Sequence, residues 1–280
     1  MKESANAIRT PIGDVCLSRL CRLSHTEPQL KPLVFEALLH APIAVLCDPG
    51  SSPPPSGTLI NSDVLLRQVR HPEAGIPEFS NAVFSDVAHF HAFAPEKAPH
   101  HCMVPPSTFR LIEDLANLPM PLAIDPGARH TLVLSSAELR RWLAKWRDTP
   151  LATDPLEHDT LDTRPGVACQ AALLDRLMVF LGMLPTVERA HLLAGTIAST
   201  GAPTLTLAVA CQDTLTEMRI RRALPLLEDG LAMAPLSFLP LVHYASVVTH
   251  AVEAHWPAIY DRAVGQWTRW PLSGVPTRSL

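Results

Sequence analysis

The densest group of chemically reactive side chains lies within fourteen residues and comprises His89, His91, His100, His101 and Cys102. Imidazole nitrogens and a thiolate are ligands that zinc prefers, and a bound zinc ion could serve structure or catalysis. Their spacing matches none of the usual zinc-binding patterns, and the last three residues lead into an apolar run of strand length. We therefore predict histidines in loops and at strand ends, with no metal. A metal site or an enzyme centre in residues 89–102 is the alternative.

A second group, His250, Glu253 and His255, has the order H-x-x-E-x-H. Helical metalloproteases use H-E-x-x-H, or its inverse, to place two histidines on one face of a helix. Here Trp256 and Pro257 follow at once, and proline interrupts the helical turn. The pattern favours an ordinary polar helix face.

Signatures of nucleophilic catalysis and of phosphate binding are missing from the sequence. It contains no G-x-S-x-G nucleophile elbow, no G-x-G-x-x-G and no P-loop. Cys102 and Cys211 end apolar runs without a basic neighbour that would favour the reactive thiolate, which is typical of core packing. The sequence thus predicts neither a catalytic residue nor a cofactor, and we expect a protein that is not an enzyme.

Two other features indicate a protein partner. Trp142 and Trp146 stand four residues apart on a predicted helix, and aromatic side chains are enriched at interfaces. Arg219, Arg221 and Arg222 form a basic run that could meet an acidic partner. The alternatives are tryptophans that pack on their own domain and arginines that form a solvated face. These five residues are the candidate partner-binding residues, and the sequence does not identify the partner.

The composition of the 280 residues excludes several classes of function. Hydrophobic residues make up 47% and charged residues 18%, and the net charge is −4 with a pI of about 6.3. This mild negative charge argues against nucleic acid or an anionic membrane as a partner. No run approaches about 20 apolar residues, and no signal-peptide core is visible. The six cysteines form no C-x-x-C pair, so we expect reduced thiols and a cytoplasmic protein.

Residues 76–90, IPEFSNAVFSDVAHF, are typical of a strand, a turn and an amphipathic helix. Ser80 and Asn81 are residue types that cap helices, because their side-chain oxygens accept main-chain N–H groups of the first turn. The sequence therefore predicts an N-cap at Ser80 or Asn81 for the helix AVFSDVAHF.

Residues 120–143 are typical of the same order of elements. The strand MPLAID is followed by a D-P-G turn, by HTLVL as its continuation or its partner strand, and by the helix AELRRWLAKW. Ser135 or Ser136 would cap that helix, and Glu138 completes a capping box with Ser135.

A change of composition divides the chain. Residues 148–166 are rich in proline, aspartate and threonine and lack an apolar period, which predicts a flexible linker. Beyond it we predict the helix ACQAALLDRLMVFLGML, a hairpin of VERAHLLAGTIAS with TLTLAVACQ, a helix capped by Asp213, the strand LAMAPL and a last helix broken at Pro257. The expected fold class is α/β with mixed sheets, in two small domains joined by a linker. The predicted boundaries are an N-terminal arm at 1–29, which could be a short helix or a loose arm, domains at 30–147 and 167–280, and the linker at 148–166.

The order of elements and several local sequences resemble the SseB (enhanced serine sensitivity) family. PEFSNAVFSDV is similar to the strand-to-helix junction of its N-terminal domain, with Ser80 where the family favours threonine, and D-P-G stands where the family has N-P-G. LLDRLMVFLGMLPTVERAHLLAG, TLTLAVACQ and HWPAIYDRAVGQW are similar to its C-terminal domain. The resemblance covers roughly residues 33–267.

The resemblance implies a fold and a pairing of two SseB-like domains, and it transfers no catalytic residue. The family name records a growth phenotype toward serine, which is not a reaction. We expect a non-enzymatic bacterial protein that works as a cytoplasmic protein-interaction or regulatory module. The alternative function is binding of a metal or of a small molecule such as an amino acid, or an enzyme that uses the His89–Cys102 region.

Overall fold

A computed structural model of the protein describes residues 17–46, 68–70, 79–93, 101–104, 109–156, 161–163, 170–197, 201, 203–233, 235–244 and 246–263. The chain forms two compact units, and the boundary between them falls between Asp148 and Thr149. Each unit contains a mixed sheet with helices, which confirms the expected α/β class in two sheet-containing parts. Within the described ranges, no helix combines the length and the apolar composition needed to cross a membrane.

The described part of the first unit contains five helices around a six-stranded sheet. The helices are α1 (Leu17–Thr26), α2 (Lys31–His40), α3 (Val87–Phe93), α4 (Phe109–Asn117) and α5 (Ser136–Asp148). The strands are β1 (Ile43–Leu46), β2 (Gln68–Arg70), β3 (Phe79–Phe84), β4 (His101–Val104), β5 (Leu122–Ile124) and β6 (Leu132–Leu134). Their order is β4-β1-β3-β5-β6, with β2 also beside β3. Only β3 and β5 run parallel; the other described pairs are antiparallel.

The core of this unit lies around α2 and β3. Eight of the ten residues of α2 are buried, as expected for a mostly apolar helix, and Glu36 is buried with them. Phe35 of this helix packs against Trp142 of α5 at 5.9 Å between ring centroids. On β3, Phe84 meets Phe90 of α3 edge to face at 5.2 Å. Aromatic pairs in these geometries stabilise the packing beyond the area that they bury.

Residues 17–26 form part of this unit, although the sequence analysis assigned residues 1–29 to an arm. Helix α1 buries Leu17, Leu20, Cys21 and Ser24, which recur at i, i+3, i+4 and i+7. That spacing places all four on one face of the helix, which packs on α2. The first unit therefore extends further toward the N-terminus than the predicted boundary at residue 30.

The predicted N-cap at Ser80 or Asn81 is wrong, because both residues lie within β3 and are buried. The helix begins later, at Val87, and the Asp86 carboxylate accepts the main-chain N–H of His89 at 2.8 Å. β3 is bonded to β1 and β2 on one edge and to β5 on the other. These long-range pairings outweigh the local capping preference of serine and asparagine.

The described part of the second unit contains three helices and a five-stranded sheet. The helices are α6 (Ala171–Gly182), α7 (Thr214–Leu227) and α8 (Ser246–His255). The strands are β7 (Leu161–Thr163), β8 (Val187–Ile197), β9 (Pro203–Cys211), β10 (Leu236–Pro240) and β11 (Ala258–Asp261). The order is β10-β9-β8-β11, with β7 also beside β8. β9 and β10 run parallel, and β8 pairs antiparallel with β7, β9 and β11.

Several local predictions hold in the second unit, and two are wrong. β8 and β9 form the expected hairpin, and the Asp213 carboxylate caps α7 by accepting the N–H groups of Leu215 (3.2 Å) and Thr216 (3.1 Å). The strand expected at LAMAPL begins later, at Leu236. The residues directly after Pro257 do not continue the last helix, since residues 258–261 join the sheet as β11 beside β8.

The described residues of the predicted linker are fastened to the second unit. Arg221 donates to the carbonyl of Ala152 at 2.8 Å, and the Tyr244 hydroxyl donates to the Asp154 carboxylate at 2.7 Å. Residues 161–163 then form the edge strand β7. A polar sequence without an apolar period predicts little burial, but these hydrogen bonds and the packing of Leu156 against the core of the second unit hold the segment.

The capping box predicted at the start of α5 is confirmed. The Glu138 N–H donates to Ser135 Oγ at 3.2 Å, and the Ser135 N–H donates to Glu138 Oε2 at 2.8 Å. Glu138 also lies 3.5 Å from Lys31 Nζ at the start of α2. Local sequence therefore fixes where α5 begins.

We expect Ser135→Ala to lower the free energy of unfolding by about 1 kcal/mol, because the Glu138 N–H loses its acceptor. Ser135→Thr keeps the hydroxyl and is the matched control. Urea unfolding followed by tryptophan fluorescence measures the difference. An alanine variant with the wild-type midpoint would contradict the role of the box.

Candidate functional site

Polar side chains meet where the parallel strands β3 and β5 end. Ser85 and Asp86 follow β3, His89 lies one turn into α3, and Asp125 follows β5. Because parallel strands have their carboxyl ends at one edge of the sheet, the two loops come together there. The Ser85 N–H donates to Asp125 Oδ1 at 2.7 Å and closes this edge. Ligand sites of α/β sheets commonly lie at such an edge, so this is the candidate site of the first unit.

Asp125 has an unusual backbone and a buried carboxylate. Its φ is 51°, in the left-handed region, and the residue is 3% exposed. Burial raises the pKa of this carboxyl above its ordinary value, although the hydrogen bonds with Ser85 oppose the rise. Gly127, in the same D-P-G turn, has φ 79°, and a Cβ there would lie 2.9 Å from the ring of Phe93. The turn thus has the tight geometry that its sequence predicts.

The contacts of His89 decide what chemistry this edge supports. Its Nδ1 lies 2.9 Å from Asp86 Oδ1 and 3.4 Å from Ser85 Oγ. A serine–histidine–aspartate relay needs the serine and the carboxylate on opposite ring nitrogens. Partial burial tends to raise the pKa of Asp86, but hydrogen bonds and the charge of His89 lower it overall. The arrangement caps α3 and does not activate Ser85 as a nucleophile.

The residues of the predicted metal alternative are only partly described. His89 and His91 belong to α3 and are two residues apart, so they do not share a helical face. His100 lies outside the described residues, and the backbone of His101 and Cys102 forms β4. Over the part of the chain that the structure describes, no three histidine, cysteine, aspartate or glutamate side chains group as metal ligands.

The H-x-x-E-x-H group of α8 is arranged for structural contacts. Glu253 forms an ion pair with Arg189 of β8, which also lies 3.2 Å from Asp261. Nδ1 of His255 lies 2.8 Å from the carbonyl of Ala251 in the preceding turn. Glu253 is thus committed to an ion pair across to the sheet.

The predicted partner-binding role of Trp142 is wrong, because this residue is 1% exposed and packs in the core against Phe35. Trp146 is half-buried and meets the ring of His40 edge to face at 5.6 Å. The i, i+4 spacing places both side chains on one face of α5, and that face covers α2. The pair packs on its own unit.

The three arginines of α7 differ in their contacts. Arg221 lies over the ring of Phe238 at 4.8 Å, besides its bond to Ala152. Arg222 donates to the carbonyl of Thr149 at 3.2 Å. Arg219 is half-buried on the same helix. Arg221 and Arg222 therefore help to hold residues 149–152 against their own unit.

Two exposed apolar residues on α7 were not among the binding residues that the sequence predicts. Leu215 is 80% exposed and Met218 is 45% exposed, whereas Ile220 and Leu224 on the opposite face are fully buried. The sequence contains a signal for them, because Leu215 and Met218 are an apolar pair at i, i+3 that lies outside the apolar stripe of the buried helix face. Large exposed apolar side chains that cluster mark interaction surfaces.

Buried histidine and cysteine side chains in the second unit have structural roles. Cys211 is 1% exposed, and its Sγ lies 3.4 Å from Thr186 Oγ1. His191 is 2% exposed and its Nδ1 lies 2.8 Å from the carbonyl of Trp256, whereas its Nε2 has no hydrogen-bond partner among the described residues. Burial and the nearby charge of Arg189 lower the pKa of His191.

No protein-family model, no curated protein and no solved structure matches this chain.

We expect Asp125→Ala to lower the free energy of unfolding by about 2 kcal/mol, since the Ser85 N–H loses its acceptor and alanine disfavours positive φ. Asp125→Asn retains an acceptor and tolerates this backbone, so it is the matched control. Thermal and urea unfolding report the difference. Equal stability of the two variants would contradict the role of the carboxylate.

His191 predicts a loss of stability in mild acid. Its folded pKa lies below the ordinary value of 6.5, so below that pH the unfolded chain binds a proton that the folded chain does not. Stability should therefore fall as the pH decreases from 6.5 toward the folded pKa, and His191→Gln should reduce this slope. His255→Gln, at an exposed position, is the control and should leave the slope unchanged. Urea unfolding at a series of pH values would show equal slopes for all three proteins if the argument is wrong.

Proposed function

We propose that this chain is a non-enzymatic protein that binds a protein partner through the outer face of α7. The observation that carries the proposal is a row formed by Leu215, Met218, Arg219 and Arg222, at i, i+3, i+4 and i+7. This spacing places them along one side of the helix, and we call the row the α7 stripe. The buried residues of α7 lie on the other side.

The apolar end of the α7 stripe supplies energy for association. Transfer of a leucine side chain from water to an apolar interface is worth roughly 1.5–3 kcal/mol, and 80% of Leu215 is exposed. Met218 beside it has a flexible, polarizable side chain that adapts to different surfaces. Leu215 and Met218 are therefore the expected anchors of the interface.

The basic end of the α7 stripe defines the chemistry of the partner. Arg219 and Arg222 place guanidinium groups one and two turns beyond Leu215 on the same side of α7. An apolar segment with adjacent aspartate or glutamate residues complements this order of groups. We therefore assign the surface to an acidic, amphipathic segment of a partner protein.

The resemblance to the SseB family supports a regulatory or interaction role, because that resemblance transfers no catalytic residue. Ser85 and Asp86 both contact the same ring nitrogen of His89, Nδ1, and this geometry likewise supports a role other than nucleophilic catalysis. We place this function in the cytoplasm of a bacterium, and the link to serine sensitivity comes from the family name alone.

A photo-crosslinking amino acid at position 215, in cells that produce the protein, tests this proposal. We expect one main adduct, joined through a segment that contains aspartate or glutamate beside apolar residues. Because charges at the rim of an interface steer association, Arg219→Glu should reduce the adduct several-fold. Mass spectrometry of the adduct identifies the linked segment.

The control is the same photo-crosslinker at Leu118, which is 42% exposed in the first unit. It should not give the adduct seen from position 215. An identical adduct from both positions, an adduct to a second copy of this chain, or no adduct from position 215 would each overturn the proposal.

A further inference from the structure

A cluster of basic side chains lies on the first unit. Arg22 and His25 lie three residues apart on α1, and Arg129 and His130 lie in the loop between β5 and β6. The rings of His25 and His130 meet edge to face with centroids 5.5 Å apart, which joins the two pairs. We call these four residues the basic cluster. It brings two arginines and two histidines together from two separate elements.

The two arginines of the basic cluster pair with no carboxylate among the described residues. Neither Arg22 nor Arg129 forms an ion pair or hydrogen bond with any described residue, in contrast to Arg147 and Arg189, which pair with carboxylates. His130 is half-buried, and its Nδ1 is shielded from solvent without a hydrogen-bond partner in the described chain. A buried polar atom without a partner is unfavourable unless a ligand or water satisfies it.

The electrostatics of His130 agree with this geometry. Burial and the charges of Arg129, His25 and Arg22 all lower its pKa, and no described carboxylate opposes them. Mutual repulsion among these groups favours a bound anion, because an anion attracts each of them and so offsets the repulsion.

We propose that the basic cluster binds a phosphoryl group, either free phosphate or the phosphate of a small phosphorylated molecule. Guanidinium groups match the oxygen geometry of phosphate with paired N–H donors, and imidazole adds a donor at each histidine. A dianion can accept from several of these donors at once, which a single carboxylate does less fully. This ligand site is independent of the α7 stripe.

The loop that carries Arg129 and His130 is held in place by the candidate site of the first unit. The Thr131 hydroxyl donates to the carbonyls of Asp125 and Ala128, both at 3.0 Å. The Ala128 N–H donates to the Asp125 carbonyl at 3.1 Å. The same short loop thus begins at the buried Asp125 and carries Arg129 and His130 of the basic cluster. Two donors of the cluster therefore have fixed backbone positions, which reduces the entropy lost on binding.

Titration of the full chain with inorganic phosphate, followed through the imidazole resonances in ¹H–¹³C NMR spectra, tests the site. We expect saturable shifts of His25 and His130 and a rise in the pKa of His130 with phosphate. Arg129→Gln should weaken binding by about tenfold, the loss of one charge-assisted hydrogen bond. Arg140→Gln, which removes an exposed arginine of α5, is the matched control and should leave the affinity unchanged.

Two further titrations separate the possible ligands. Tighter binding of glycerol 3-phosphate than of inorganic phosphate would identify a phosphorylated small molecule, and equal affinity would identify free phosphate. Binding of acetate as tight as that of phosphate would overturn the phosphoryl assignment. So would resonances of His130 that do not shift with phosphate, or equal effects of Arg129→Gln and Arg140→Gln.

Discussion

The Asp125 carboxylate accepts the main-chain N–H of Ser85 at 2.7 Å and so joins the ends of the parallel strands β3 and β5. β3 is bonded along both edges, which makes it the centre of the first sheet. The carboxylate can be buried because it accepts a main-chain donor that would otherwise lack a partner. Helix α3 starts from one side of this link, and the loop with Arg129 and His130 starts from the other. The geometry of both depends on this one interaction.

Polar contacts have the corresponding role in the second unit. Arg221, Asp154 and Tyr244 hold residues 149–156 against the sheet and against α7. These contacts use part of the basic character that the sequence shows at residues 219–222. The inner face of α7 is buried in the core, so the outer face, with Leu215 and Met218, is what the helix presents to solvent. The basic run at residues 219–222 therefore makes contacts within its own unit, while Leu215 and Met218 remain exposed on the outer face of α7.

The two proposed surfaces use different physical principles. At the α7 stripe, affinity would come from burial of apolar area, and the arginines would select the partner by charge. At the basic cluster, the binding energy would come from charge-assisted hydrogen bonds to an anion that relieves repulsion among cations. The first surface suits a macromolecule, and the second suits a small dianion. Each can fail without consequence for the other.

The sequence by itself determined the features that depend on contacts within a few residues. These include the capping box of Ser135 and Glu138, the cap at Asp213, the D-P-G turn and the hairpin of β8 with β9, because each rests on local hydrogen bonds or a short turn. The tertiary structure alone decided that Ser80 and Asn81 join a strand and that Trp142 is buried. It also placed His130 beside His25. These outcomes depend on partners far along the chain, and the pairing and packing energies that such partners supply exceed the local preferences that a sequence pattern reports.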